Sequence, residues 1–167
     1  MDAAVSSLTY SPEQVIGKAF DLDPAKLFVE ANQAAVELGS AMLYIQIHLQ
    51  GKDRMVVLVA DLGPLPAKQR NDLHQQMLVA NNNWRDLAGG ALCTDDSGER
   101  AFLRLQLDLS TLDSESLAQW TGAFAVATVA WAERVAAAVS PPETLAPLPE
   151  FMSPPRDFPG FSPFNRA

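Results

Sequence analysis

The spacing of hydrophobic residues changes along this chain and marks out successive elements. Between residues 42 and 50 the period is two. Leu43, Ile45, Ile47 and Leu49 alternate with Tyr44, Gln46, His48 and Gln50, the pattern of a strand with two unlike faces. A turn at Gln50-Gly51-Lys52-Asp53 leads into M-V-V-L-V-A at 55–60, which is apolar on both faces. Such a strand is either covered on both sides or open to a partner. Upstream, Asp23 stands as an N-cap before Pro24, and Leu27, Phe28, Ala31, Ala34, Ala35 and Leu38 recur at helical spacing up to Gly39. These signals predict a first long helix of about 15 residues. Pro12 offers the start of a shorter helix before it.

Downstream, Pro64 and Pro66 are expected to end the sheet, with Pro66 opening a second helix. Leu73, Met77, Ala80 and Trp84 fall at i, i+4, i+7 and i+11, one apolar stripe of that helix. Asn81-Asn82-Asn83 weakens it and Gly89-Gly90 ends it. A short strand at 91–94, a turn at Asp95-Asp96-Ser97-Gly98 and a returning strand at 99–109 follow. On the returning strand Leu103, Leu105, Leu107 and Leu109 face one way, and Phe102, Arg104, Gln106 and Asp108 the other. Asp113 caps a last helix whose main stripe is Leu117, Trp120, Phe124, Trp131 and Val135, ending near Val139. Its uncharged middle carries Gln119, Thr121, Gly122 and Thr128 and is short of the roughly 20 apolar residues of a membrane span. It reads as a buried or dimer-packed helix.

A chain of 167 residues suits one domain. The expected division is an N-terminal extension at 1–22, an α+β domain at 23–139 and a tail at 140–167. Eight of the twelve prolines fall in that tail, which excludes regular helix or strand there, and Phe151, Phe158, Phe161 and Phe164 are interleaved with them. A net charge of -8 argues against nucleic acid as a partner, since phosphate contacts need clustered Lys and Arg. The same acidity favours a basic partner and solubility. Cys93 is the only cysteine, so an intramolecular disulfide is excluded and a reducing compartment fits best. The N-terminus lacks the basic start and apolar run of a secretory signal.

Little here could do chemistry. His48 and His74 are the only histidines, and His74 with Asp72 is the one pairing a small hydrolase could use. Cys93 has no cationic neighbour to lower its pKa and reads as a small core residue. Two scattered histidines and one cysteine give no metal-ligand spacing, and Gly89-Gly90 lacks any phosphate-loop context. No catalytic residue, cofactor or metal is expected, and the helix stripes around Trp84, Trp120 and Trp131 read as core.

Several motifs together resemble the class I chaperones of bacterial type III secretion (the Tir-chaperone-like family). L-G-P-L-P at 62–66 follows the 55–60 strand, and Met77, Leu78, Ala80 and Asn81 match the family's leucine-rich helix end with Ala-Asn. Gly89 to Gly98 resembles its G-G-A-x-L hairpin and D-x-x-S/T-G turn, and residues 109–113 its L-x-x-L-D entry to the last helix. The resemblance implies an α+β fold, α-β-β(-β)-α-β-β-α, with a twisted antiparallel sheet against helices in a homodimer. Only two early strands are evident where the family has three. It further implies a cytoplasmic bacterial chaperone that holds effector proteins non-globular and export-competent without ATP hydrolysis, the multi-effector subclass included. Effector N-terminal segments would be the partners, the secretion ATPase a further one, and membranes and nucleic acid would not be. By the resemblance, Leu27, Phe28, Leu43, Ile45, Ile47, Val57 and Val59 are effector-binding candidates, and Leu73, Met77, Ala80 and Trp84 dimer-interface candidates. The alternative is a regulatory or stress-associated protein-binding domain of the same fold.

Overall fold

The computed structural model describes residues 8–28, 32–50 and 53–139. The proline-rich tail expected at 140–167 lies outside the described residues, as does the centre of the turn at 51–52. In chain order the elements are α1 (Pro12–Ala19), α2 (Pro24–Leu27), β1 (Gln33–Leu38), β2 (Ala41–Gln50), β3 (Asp53–Pro64), α3 (Arg70–Asn81), β4 (Ala91–Thr94), β5 (Arg100–Asp108) and α4 (Ser114–Val139). The strands form one antiparallel sheet in the order β1-β2-β3-β5-β4. The α+β architecture and the third early strand are therefore present.

That third strand corrects the expected helix over 23–38. Asp23 does cap a helix, accepting from the Ala25 N–H, but α2 stops after one turn at Phe28. Asn32 then takes φ 64, and the chain turns into β1. The alanines that read as helical instead alternate: Val36 is buried with Ala34 and Leu38 partly so, while Ala35 and Glu37 are exposed. Pairing with β2 across the two-residue Gly39-Ser40 turn outweighs the helix propensity of a short Ala-rich run. The first helix is α1, capped by Ser11 with Pro12 in its first turn. It packs against α4, and Ile16 is fully buried in the common core, so residues 12–19 contribute to that core.

Two other boundaries differ. β3 runs on past Ala60 to Pro64, its last residue: after a register shift between Asp61 and Gly63, Gly63 pairs with Ala101 and Pro64 with Arg100. The bulge is held by Asp61, which accepts from the Gly63 N–H at 3.0 Å and pairs with Arg100 at 2.6 Å. Pro66 opens a turn, with α3 starting at Arg70, and α3 ends at Asn81, before Trp84. Residues 84–89 form a tight turn closed by the Gly89 N–H on the Trp84 carbonyl, with Ala88 and Gly89 at φ 51 and 76. A side chain on Gly90 would place its Cβ 2.9 Å from the Arg104 carbonyl oxygen, so the loop presses on β5 more closely than any other residue allows.

One face of the sheet carries Leu43, Ile45, Ile47, Val56, Leu58, Ala60, Leu103, Leu105 and Leu107, all buried. Against it lies α4, through Leu117, Phe124, Trp131 and Val135 among others. By length and composition α4 could cross a membrane, but its apolar stripe is the core of this fold. Asp113 starts it by accepting from the Ser116 N–H at 2.7 Å, and this bond holds the Asp113 carboxyl below the usual range. Ser110 does the same for Asp108 at the end of β5.

A carboxylate whose pKa is lowered by folding contributes stability that is complete above its unfolded value and lost as pH falls through its folded value. Acid unfolding of this protein is accordingly expected below pH 3.8, the ordinary value for Asp113 and Asp108. Asp113→Asn keeps a capping oxygen but does not titrate, so circular dichroism should show a shallower loss of helix with acid than in the parent.

Candidate functional site: one open strand edge and two apolar faces

Backbone direction in the sheet follows from its register. The Ile47 N–H donates to the Asn32 carbonyl directly opposite, so by alternation Ala34, Val36 and Leu38 turn their backbone groups toward β2. Gln33, Ala35 and Glu37 turn theirs outward, and among the described residues nothing bonds to them. At the other edge the same alternation points Leu92 outward from β4. There the Asn81 side chain acts as a one-residue strand, donating to the Leu92 carbonyl at 3.0 Å and accepting from its N–H at 2.8 Å. Asn81 thus closes the β4 edge at Leu92, whereas β1 has no such partner among the described residues.

The face away from α4 carries the opposite parity: Met42, Tyr44, Gln46 and His48 on β2, Val57 and Val59 on β3, Phe102, Arg104 and Gln106 on β5. Tyr44 and Val59 are exposed and partly exposed neighbours, and Val57 sits between Gln46 and Gln106. Gln106 leans toward Met55, its Nε2 lying 3.3 Å from the sulfur.

The effector-binding candidates are thus not brought together. Val59 is partly exposed on the face away from α4, where Val57 is itself buried, whereas Leu43, Ile45 and Ile47 are buried beneath the helices. Leu27 and Phe28, around the end of α2, are partly buried against the core beside β1. Met42, Tyr44 and Phe102 share the open face with Val59 and were not among the candidates. The alternation that located the strands also contained them, but it does not say which parity a helix will cover.

The dimer candidates divide similarly. Leu73 and Met77 are buried in this chain's own core and Ala80 is partly buried. Trp84 is 53% exposed, off the helix, with the Arg85 guanidinium 5.6 Å over its ring. The outer surface of α3 instead presents Leu78, 69% exposed, and Val79, 63% exposed. Beside Leu78 a groove of about 240 Å³ runs between α3 and β4, past Met77 and Cys93. Cys93 is exposed, not the core residue expected, because β4 turns it to the open face.

The polar groups here are structural. The His74 Nε2 lies 3.2 Å from the Gly98 carbonyl, tying α3 to the β4–β5 turn. Asp95 is held below the usual carboxyl range by the Ser97 hydroxyl and by backbone N–H groups of its own turn. Burial raises Tyr10, with the Asp113 charge adding to it, and its hydroxyl donates to the Leu112 carbonyl. Among the described residues no group of three or more His, Cys, Asp or Glu could hold a metal.

Residues 25–132 match the Tir chaperone protein (CesT) family. No curated protein sequence matches the chain significantly. Among solved structures, a chain of the ExsC-ExsE complex is 13% identical and covers 74% of this chain and 92% of its own, with a TM-score of 0.53. A chain of the HopA1-SchA chaperone-effector complex is 14% identical over 71% of this chain and 88% of that one, TM-score 0.51. A chain of the heterodimeric ExoU-SpcU complex, from the type III secretion system of Pseudomonas aeruginosa, is 18% identical over 75% and 95%, TM-score 0.53. At these identities the likeness is one of fold.

Asn81→Ala removes both bonds to Leu92 and leaves a backbone donor and acceptor without protein partners. Urea unfolding should show a loss of about 1 to 3 kcal/mol. A change within experimental error would mean that water serves that edge equally well.

Proposed function

Because this chain belongs to the Tir chaperone protein (CesT) family, we propose that it binds the N-terminal segment of a type III secretion effector as an added strand on β1, keeping it non-globular for export. The observation that carries this reading is the asymmetry of the sheet: among the described residues β1 offers unpaired backbone groups at Gln33, Ala35 and Glu37, while Asn81 takes up Leu92 at the opposite edge. Strand addition uses such groups for affinity and neighbouring apolar surface for alternate side chains. Here that surface is Tyr44, Met42, Val59 and Phe102 around the buried Val57 on the open face, with Leu27 and Phe28 near the edge.

Magnitudes favour an apolar groove over charge. Ordering an extended segment costs about 1 to 2 kcal/mol per residue in backbone freedom, and an exposed ion pair returns about 0 to 1 kcal/mol. Each large apolar side chain buried returns about 1.5 to 3 kcal/mol. The acidic charge then serves solubility and encounter with basic segments. Binding of this kind requires no catalysis and no cofactor. The bacterial cytoplasm, before export, is where it would act, with the secretion ATPase as the acceptor of the loaded chaperone.

We propose further that two copies pair through the outer surface of α3, using Leu78, Val79 and Trp84 in place of the buried Leu73 and Met77. Leu78→Asp together with Val79→Asp touches no core position, so the fold should persist. Analytical ultracentrifugation at micromolar concentration should then move from dimer to monomer. A parent protein already monomeric, or a variant still dimeric, would count against this surface.

Ala35→Pro deletes one outward N–H without removing a bond to β2. Titration with effector N-terminal segments should show about a threefold to tenfold loss of affinity, the worth of one hydrogen bond. Unchanged affinity in a folded variant would reject β1 as the cargo edge.

A further inference from the structure

One side of α4 faces the sheet, and the middle of the other is apolar, exposed at Ala123, Val126 and Ala130 and half-buried at Gly122 and Val129. Val126 on it is 72% exposed. A shallow groove of about 420 Å³ runs past Ala125, Val126, Val129, Ala130 and Glu133. A Cβ built on Gly122 would meet no atom within 4 Å, so that position is a notch in the same surface. Residues 115, 119, 122, 126, 129 and 133 lie within about 40° of one line on a helix of 3.6 residues per turn. The stripe reads Glu-Gln-Gly-Val-Val-Glu, with an apolar middle and an acid at each end. Glu115 and Glu133 make no ion pair among the described residues. They are five turns apart, about 27 Å along the axis at 1.5 Å per residue.

The chain continues beyond Val139 for a further 28 residues, and one part of that tail has the complementary pattern. Between Arg156 and Arg166 stand Phe158, Phe161 and Phe164, and from 158 to 165 there is no charge. Pro154, Pro155, Pro159 and Pro163 favour polyproline II, whose three residues per turn and roughly 3.1 Å rise place aromatics three apart on one side. Ten residues in that form span about 31 Å, close to the separation of the two glutamates.

We propose that residues 156–166 lie antiparallel along the outer stripe of α4 in the same chain, Arg156 at Glu133 and Arg166 toward Glu115. Phe158 then falls by Val129, and Phe161 between Val126 and Gly122. The tether permits this direction. Glu133 is about 9 Å from the end of α4 along the helix, whereas the 17 residues from Val139 to Arg156 can extend about 50 Å. Burying Phe158 and Phe161 on the apolar middle of the stripe supplies the driving force, and the arginines fix the register.

The test is p-benzoylphenylalanine incorporated at Phe161 of the full chain, with photo-crosslinks mapped in a sample mixing isotopically labelled and unlabelled protein. The expected result is crosslinking within one chain to residues 122–133. Val126→Glu, at an exposed position, should lower the yield about tenfold by placing a charge in the apolar contact. Glu133→Arg should lower it about threefold, and adding Arg156→Glu should restore it. Crosslinks to the open sheet face, to α3 or between chains would overturn the proposal. So would no crosslink, or charge reversals without effect.

Discussion

The feature on which the rest depends is the hydrogen-bonded register that runs unbroken from β1 to β5 apart from the bulge at Asp61, and on to β4. In an antiparallel sheet, register fixes two things at once: which side chains share a face and which backbone groups point along the sheet toward each edge. A shift of one residue between β1 and β2 would turn Ala34, Val36 and Leu38 to the open face and their backbone groups outward. It would also place Gln33 and Glu37 under α4. Burial of Leu43, Ile45 and Ile47 under the helices holds that register, and the open edge is a by-product of it.

The helices divide the work around this sheet. α4 supplies the core on one face, and α1 packs on α4 and adds Ile16. α3 stands at the β4 edge, inserting Leu73 and Met77 inward while its last residue, Asn81, closes the strand. The same helix therefore leaves Leu78 and Val79 to solvent. A twelve-residue helix cannot bury all its apolar positions on one sheet edge, because successive residues are 100° apart.

Much of this was legible in the residues. The strict alternation over 42–50 and 102–109, the turn at 95–98, and the Asp113 cap each produce their elements as read, because each is set by local chemistry. β1 was not, since Ala34 and Ala35 suit a helix locally and only the pairing with β2 makes them strand. Trp84 extended a helical stripe on paper, yet the Asn81-Asn82-Asn83 run ends the helix first. On the binding surface the strands were legible and their parity was not. An alternating strand names two faces, and only the placement of α4 decides that Leu43 and Ile45 are interior while Tyr44 looks out. The family motifs carried the functional reading where local patterns stopped.

Asn81 has one more effect, on number. A sheet with two free edges can grow at both ends, each added strand offering a new edge to the next. With Leu92 taken up by Asn81, the β4 edge is interrupted at its middle, and β1 is the freer edge among the described residues. A single amide side chain thus makes the two ends of the sheet unequal, and works against end-to-end growth.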